Sequence, residues 1–470
     1  MMSDPAYRPR SSVILYSVVA WVLVLFLATT FSVSPYKSFW SGFERMEGYL
    51  GLLHLGLFFF LLISVFRTWA DWRTYFYATI AASAGVVGYA LLQLLGRLVI
   101  HQGGTRVDAT LGNATYLAAY LLFHLFFIIW FFLRAKSHGT RVLWAGLFLL
   151  EAFILYSTAT RGAFLGFMGG LVVLGLLLGF TSRGAMRRAA LAAITVALAM
   201  PVLFFLTKNT PLVQKSLVLQ RFANISLTET TTRARFIIWG MAVKGVQERP
   251  VLGWGQESFT YLFTKHYDSR LWSQEPWFDR AHNVFLDWLS AGGILGLLAY
   301  LGMYAAAAWV LMRGFLRERV EALTLSAMGA LLAAHMFQNL FVFDSLMSYL
   351  PFFALLAYAH ALAPPAAGPA RRLPAGVAVA ATAVAVPALV FVLWAANVKP
   401  FLAAKYLLDA MKANQSHAPA GRVDAIIAPL ERGIALDTFG TSEIREQATQ
   451  VTADIIDDAA IAEQDRVKLA

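Results

Sequence analysis

The feature that most constrains this chain is a series of apolar blocks, most of them roughly 20 residues long, the length a helix needs to cross a ~30 Å hydrocarbon layer. They fall at about 12–31, 50–66, 74–95, 114–133, 142–159, 162–180, 189–207, 284–312, 322–341, 345–363 and 376–396. Within hydrocarbon a backbone segment must satisfy its own N–H and C=O groups, so uninterrupted blocks of this length dictate helices. A membrane barrel would instead show short alternating segments. The expected fold class is therefore an all-α polytopic membrane protein with about eleven (10–12) transmembrane helices. Composition agrees: 59% of the 470 residues are hydrophobic and 14% charged, against about a quarter charged in soluble domains. The block at 284–312 is long enough for a tilted helix, or for a short re-entrant piece running into a second helix at Gly292 and Gly293. The first block reads as a retained anchor, because no small-residue cleavage site follows it.

The formal net charge of +11 suggests nucleic acid until the basic residues are located. They lie largely in short connections: Arg67 and Arg73; Arg134, Lys136 and Arg141; Arg183, Arg187 and Arg188; Arg313, Arg317 and Arg319; Arg371 and Arg372. Basic connections that alternate with poorer ones mark the cytoplasmic side, which argues for topology and against a nucleic-acid partner. With a cytoplasmic N-terminus, the opposite side receives 32–49, 96–113, a tight turn at 160–161, a long polar interval at 208–283, the turn at 342–344 and the C-terminal tail. Arg161 and the long interval then share one face. The chain has no cysteine, which excludes disulfides and thiol chemistry.

Candidate chemistry collects on that face. Arg161, in STATRGAFLGF, is a cation pressed between two apolar blocks, costly unless it snorkels, pairs or is used. A guanidinium is a fixed fork of donors that suits phosphate. Arg233 and Arg235 begin a helix expected over 235–247, with apolar residues at 237, 238, 241, 242 and 246. Cations at a helix N-terminus are unfavourable without an anion nearby, and the pattern fits a helix lying in the membrane interface. Pro250 ends it, and the glycines of LGWG permit a tight turn or a close backbone approach. His282, directly before Asn283 in WFDRAHNVFLDWL, is the best general base, since imidazole accepts a proton near neutral pH without a large shift. The other histidines are less attractive: His54, His124 and His335 lie inside apolar blocks. No histidine pair has a metal-binding spacing, so neither metal nor cofactor is expected. Arg280 beside that His-Asn pair, and Arg45 and Asn113 in the polar segments upstream, are candidates for lining a sugar pocket, together with Lys37, Glu44, Glu47, Arg106 and Asp108. The aromatic residues nearby read more simply as an interfacial belt. After Lys399 the pattern turns to short amphipathic helices, so residues 397–470 are expected to form a small helical tail of tetratricopeptide-like character on the same side, apart from a membrane domain at 1–396.

TRGAFLG, RFIIW followed by ERPVLGWGQESF, and RAHNVFLDWLSAGGILGLLAYLG, in that order, resemble the O-antigen ligase family of membrane glycosyltransferases, with its related O-antigen polymerases and protein O-oligosaccharyltransferases. SPYKSFWSGFERMEG and TLGNATYLAAYLL look like further family segments, so the resemblance covers about 30–360. It implies an inverting, metal-independent transfer in a bacterial inner membrane, with the site facing the periplasm. The implied donor is a glycan on undecaprenyl pyrophosphate, and the implied acceptor is a glycolipid such as lipid A-core, a second glycan, or a protein hydroxyl. Carried over, the arginine of the TRG motif is Arg161, the arginine four residues before the tryptophan is Arg235, and the histidine of the His-Asn pair is His282. Arg233 has no clear counterpart. Members commonly have about twelve spans, and the helical tail departs from the standard lipid A-core ligases. A lipid or polysaccharide transporter is the alternative of a different class, disfavoured because no internal repeat is visible.

Overall fold

The computed structural model describes residues 7–43, 45–224, 226, 229–272, 277–364, 374–415 and 422–456. Among them every regular element is helical. In chain order these are α1 (Val13–Thr30), α2 (Pro35–Trp40), α3 (Tyr49–Val65), α4 (Trp69–Leu94), α5 (Ala114–Arg134), α6 (His138–Ser157), α7 (Arg161–Thr181), α8 (Gly184–Thr207), α9 (Pro211–Gln214), α10 (Leu217–Ala223), α11 (Thr230–Glu248), α12 (Phe259–Lys265), α13 (Val284–Leu316), α14 (Ala322–Gln338), α15 (Leu346–Ala361), α16 (Ala375–Leu393), α17 (Lys399–Gln415), α18 (Arg422–Ala435) and α19 (Thr441–Ile456). Among the described residues eight helices are long and apolar enough to cross a membrane, and α3, α14 and α15 are shorter apolar helices. The chain is an all-α, multi-span membrane protein.

The chain divides into two compact units: 1–8, 36–51 and 369–470 form one, and 9–35 with 52–368 form the other. In the larger unit α5 is the hub, with Leu117, Phe123, Phe126, Phe127 and Trp130 fully buried, while α8 leaves Val196, Leu203 and Leu206 exposed, as a lipid-facing helix must. The α7–α14 pair is close because α7 presents glycines: a Cβ at Gly166 would lie 2.9 Å from the Ala334 carbonyl oxygen. Small residues let apolar helices approach when water supplies no drive between them.

The polar interval folds onto α13, and α13 is built to receive it. Gly293 adopts φ 62°, ψ −162° and breaks the helix. The carbonyls of Ser290 and Ala291, released by the break, accept from the backbone N–H groups of Trp254 (2.8 Å) and Gly255 (2.9 Å). On the far side, Ile294 N–H donates to the Pro250 carbonyl at 2.8 Å. Gly253 lies so close that a Cβ there would sit 2.5 Å from Ser290 O. The expected features, a break at the glycine pair and a close approach at LGWG, are thus two sides of one junction. Behind it α11, α12 and the segment leading to α13 share a core of Ile238, Met241, Leu262, Phe263, Phe278 and Ala281. Helix α11 begins at Thr230, earlier than the expected 235, and ends before Pro250.

In the smaller unit the helix does not stop where the polarity changes. Helix α16 passes through a π turn at Trp394–Val398 directly into α17. Helices α17, α18 and α19 then bury Ala403, Leu407, Ile426, Leu430 and Ile444 in a small core against which Phe43 packs. The Glu443 carboxylate accepts from the Phe43 N–H at 2.7 Å, and Trp40 stacks on Phe439. The Arg371–Arg372 cluster, Glu44 and residues 457–470 lie outside the described residues.

Candidate active site

Two helix N-termini converge on one carboxylate. Arg161 is the first residue of α7, where a cation opposes the positive end of the helix dipole. The unfavourable placement is offset by Glu229, the N-cap residue of α11. The Glu229 carboxylate takes both terminal nitrogens of Arg161, one of them at 3.0 Å, in a forked pair. Thr231 Oγ1 accepts from the same guanidinium at 3.3 Å. The hydrogen bonds from Arg161, and its positive charge, hold the Glu229 carboxyl below the usual carboxylate range despite desolvation.

Further arginines surround this pair. Arg235, on the first turns of α11, is half-buried and makes no hydrogen bond or ion pair with any described residue. Burial, then repulsion from Arg161, lowers its pKa, with Glu229 opposing. Arg221, on α10, feels the same two groups, and its neighbour Phe222 packs on Phe164 of α7. Arg106 donates to the Thr158 carbonyl (2.9 Å) and to Thr160 Oγ1 (3.1 Å), immediately before Arg161. Its pKa falls to about 10 through burial first, then through Arg221 and Arg161. Arg106, Arg221 and Arg235 therefore each lie within electrostatic reach of Arg161, and Arg221 and Arg235 also of its Glu229 partner. Arg161, Arg235, Thr231, Trp239 and Phe341 line a cavity of about 430 Å³ at this point.

His282 is connected to the cavity lining through the residue before it. The Trp239 indole N–H donates to the carbonyl of Ala281 at 2.9 Å, and the His282 ring meets Phe343 edge-on, its centroid 5.2 Å away. The residue is held at φ 55°, in the left-handed region, a cost in backbone energy that clusters at functional sites. Its Nδ1 lies 3.2 Å from the Arg280 carbonyl oxygen. A carbonyl only accepts, so this contact assigns the proton to Nδ1 and leaves Nε2 as the basic nitrogen.

The remaining nominated residues occupy varied positions. Asn283 caps α13: its side-chain oxygen accepts from the N–H groups of Phe285 and Leu286, and its amide donates to the Leu340 carbonyl. Arg280 is buried in an ion pair with Glu257, itself at φ 57°, tying the His-Asn turn to the LGWGQES segment. Asn113 caps α5, accepting from Thr115 N–H at 2.8 Å. Arg233 is exposed. Arg45 belongs to the smaller unit. No group of three or more His, Asp or Glu able to hold a metal occurs among the described residues.

Sequence reasoning missed Glu229 and gave Arg221 no role. It also missed a buried network in the larger unit: His335 Nε2 donates to Asp344 (2.9 Å), Tyr304 contacts His335 Nδ1 (2.8 Å), and Tyr300, Asn339 and Ser348 donate to Asp344. Nothing in the local pattern signals that His335, in an apolar block, meets a carboxylate beyond the helix end.

Comparison with known proteins bears on the same region. The family described as O-Antigen ligase matches residues 146–301, a stretch that includes Arg161, Arg221, Glu229, Arg235 and His282. No curated protein matches the chain. Over residues 146–301 this multi-span membrane protein is assigned to the O-antigen ligase family.

Proposed function

We propose that the protein is an inverting, metal-independent glycosyltransferase of the bacterial inner membrane, moving a glycan from an undecaprenyl-pyrophosphate donor to an acceptor hydroxyl at the periplasmic face. The observation that carries this reading is the arginine excess at the 430 Å³ cavity, where Arg235 has no hydrogen-bond or ion-pair partner among the described residues. A diphosphate supplies the anionic oxygens that such a cluster lacks.

In the proposed reaction the acceptor oxygen attacks the anomeric carbon from the face opposite the diphosphate. The carbon–oxygen bond to the leaving group breaks as the new glycosidic bond forms, which inverts the anomeric centre. His282 Nε2 takes the acceptor's proton, and Arg161 and Arg235 stabilise the charge that develops on the departing diphosphate. Arg280 and Asn283 contribute by fixing the turn that carries His282, while Arg233 and Asn113 are candidates for contacts to the glycan. The acceptor is a glycolipid, a second lipid-linked glycan or a protein Ser/Thr hydroxyl. The helical tail favours an acceptor or partner that is a protein.

The deciding experiment is transfer by the purified protein from a polyprenyl-pyrophosphate glycan, in excess EDTA, offered lipid A-core, a second lipid-linked glycan or a Ser/Thr peptide. The expected result is a glycosidic product with one of the three. Movement of intact donor across a vesicle without product would make the protein a transporter instead.

A further inference from the structure

The forked Arg161–Glu229 pair has a chemical consequence for any diphosphate that enters. A guanidinium offers its two terminal nitrogens to one planar, two-oxygen partner at a time, and in this structure a carboxylate holds both. Glu229 is the N-cap residue of α11 and Arg161 the first residue of α7, so the pair joins the starts of two helices, and the carboxylate is spent on the guanidinium with no capping bond to the α11 backbone. Thr231 adds a hydroxyl to the same guanidinium, and Arg221 and Arg235 act on the same carboxylate. The geometry is that of a bound oxyanion whose occupant is the protein's own side chain.

Resting on the donor reading above, we propose that Glu229 is an internal stand-in for the donor's diphosphate: its carboxylate holds the Arg161 fork in the empty enzyme and is displaced when a diphosphate binds. No bond is made or broken in this exchange; one charge-assisted pair replaces another. Two consequences follow. The free protein keeps Arg161 oriented and its charge partly compensated, and the diphosphate product, which must leave after each turnover, faces a competitor that is always present. The competition weakens apparent affinity by the fraction of molecules in which the fork is open. Glu229 is thus a positioning residue acting through Arg161.

The test is binding of inorganic pyrophosphate to the purified full chain, by calorimetry, for the wild type and for Glu229→Gln, Glu229→Asp and Arg161→Gln, with melting curves to verify folding. Glu229→Gln should bind about tenfold tighter, as expected when a competing state populated to about nine-tenths is removed. Glu229→Asp separates displacement from simple charge removal. It keeps the negative charge but shortens the reach to the fork, and should bind several-fold tighter than wild type. It also serves if the glutamine variant does not fold. Equal binding by Glu229→Asp and wild type would mean that only the field of the carboxylate matters, and would overturn the proposal. Weaker binding by either Glu229 variant would make Glu229 a permanent clamp, with the same consequence. Arg161→Gln distinguishes the two levels: if it binds as well as wild type, or if no variant binds at all, the diphosphate reading itself fails. If Arg161→Gln alone loses binding while the Glu229 variants bind like wild type, only displacement fails.

Discussion

Two polar clusters in the larger unit are each gathered around a single carboxylate and differ in what they leave unpaired. Around Asp344 the carboxylate is satisfied internally: one oxygen accepts from His335 and Ser348, the other from Tyr300 and Asn339, and all five residues are buried, with only the Asn339 side-chain oxygen of the five lacking a partner among the described residues. Around Glu229 the charges do not balance, because one carboxylate faces Arg161, Arg221 and Arg235, with Arg106 beside them and Arg235 unpaired among the described residues. A buried carboxylate whose charge is met by its own neighbours specifies a packing arrangement. An excess of one charge beside a cavity is costly until something of opposite charge arrives. The first cluster therefore reads as structure and the second as a binding site.

Substitutions should separate the two most sharply where the effects are largest. His282→Ala is expected to lower transfer by roughly 10²–10⁴, and Arg161→Ala or Arg235→Ala by about 10²–10³, with His282→Ala leaving pyrophosphate binding in place. Asp344→Ala should behave in the opposite way, costing about 3–5 kcal/mol of stability by leaving its buried donors without a partner. Thermal melting and turnover on the same purified variants measure both. If Asp344→Ala melted normally but was inactive, the two clusters would have to be read as one site. The turn that carries His282 is linked to the Asp344 cluster by the Val284 N–H, which donates to the Asn339 carbonyl at 2.9 Å, and by the Asn283 side-chain amide, which donates to the Leu340 carbonyl.

A smaller effect sharpens the comparison within the arginine cluster. Arg235→Lys should recover only part of the loss seen with alanine, because an ammonium keeps the charge but not the planar fork. Since Arg235 has no hydrogen-bond or ion-pair partner among the described residues, the lysine variant should melt within about 0.5 kcal/mol of wild type. A stability loss comparable to that of Asp344→Ala would show that Arg235 is part of the packing.

How much of this was legible in the sequence follows from the range of the forces involved. The spans were readable because hydropathy acts over twenty consecutive residues, and each of the eleven apolar blocks falls on a helix, eight of them long enough to cross. Arg161 and Arg235 stood out because a cation at the start of a helix is conspicuous in an apolar context. The partner of Arg161 was not readable: Glu229 lies 68 residues away, and a carboxylate before TTTRARF carries no mark of what it will face. The break in α13 was half legible, since the glycine pair signals an irregularity but not the LGWG segment that fills it. Near Lys399 the change of polarity carries no sign that the helix itself continues, through a π turn, into α17. Polarity marks where burial in lipid ends, whereas a helix ends only where its hydrogen-bond ladder is interrupted.

The smallest expected effect is a pH dependence that isolates Glu229. Its carboxyl is held below the ordinary value of 4.5 in the folded protein. A depressed carboxylate pKa contributes stability above the unfolded value, and that contribution is lost as pH falls through the folded one. Other acids, among them Asp108 and Asp268, are shifted in the same direction, so wild type alone cannot report on this group, but its difference from Glu229→Gln can. Near neutral pH wild type should be the more stable by about 1 kcal/mol or less, the range of a partly exposed pair, and the two melting curves should converge as pH falls below 4.5. Saturating pyrophosphate at neutral pH should close the same gap by a different route. The ligand replaces the carboxylate in the wild type and fills an open fork in the variant, so it stabilises the variant more. If pyrophosphate raised both melting temperatures equally while the acid-dependent difference persisted, Glu229 would have stayed on Arg161 with the ligand bound, and the arginine cluster would be as closed an arrangement as the one around Asp344.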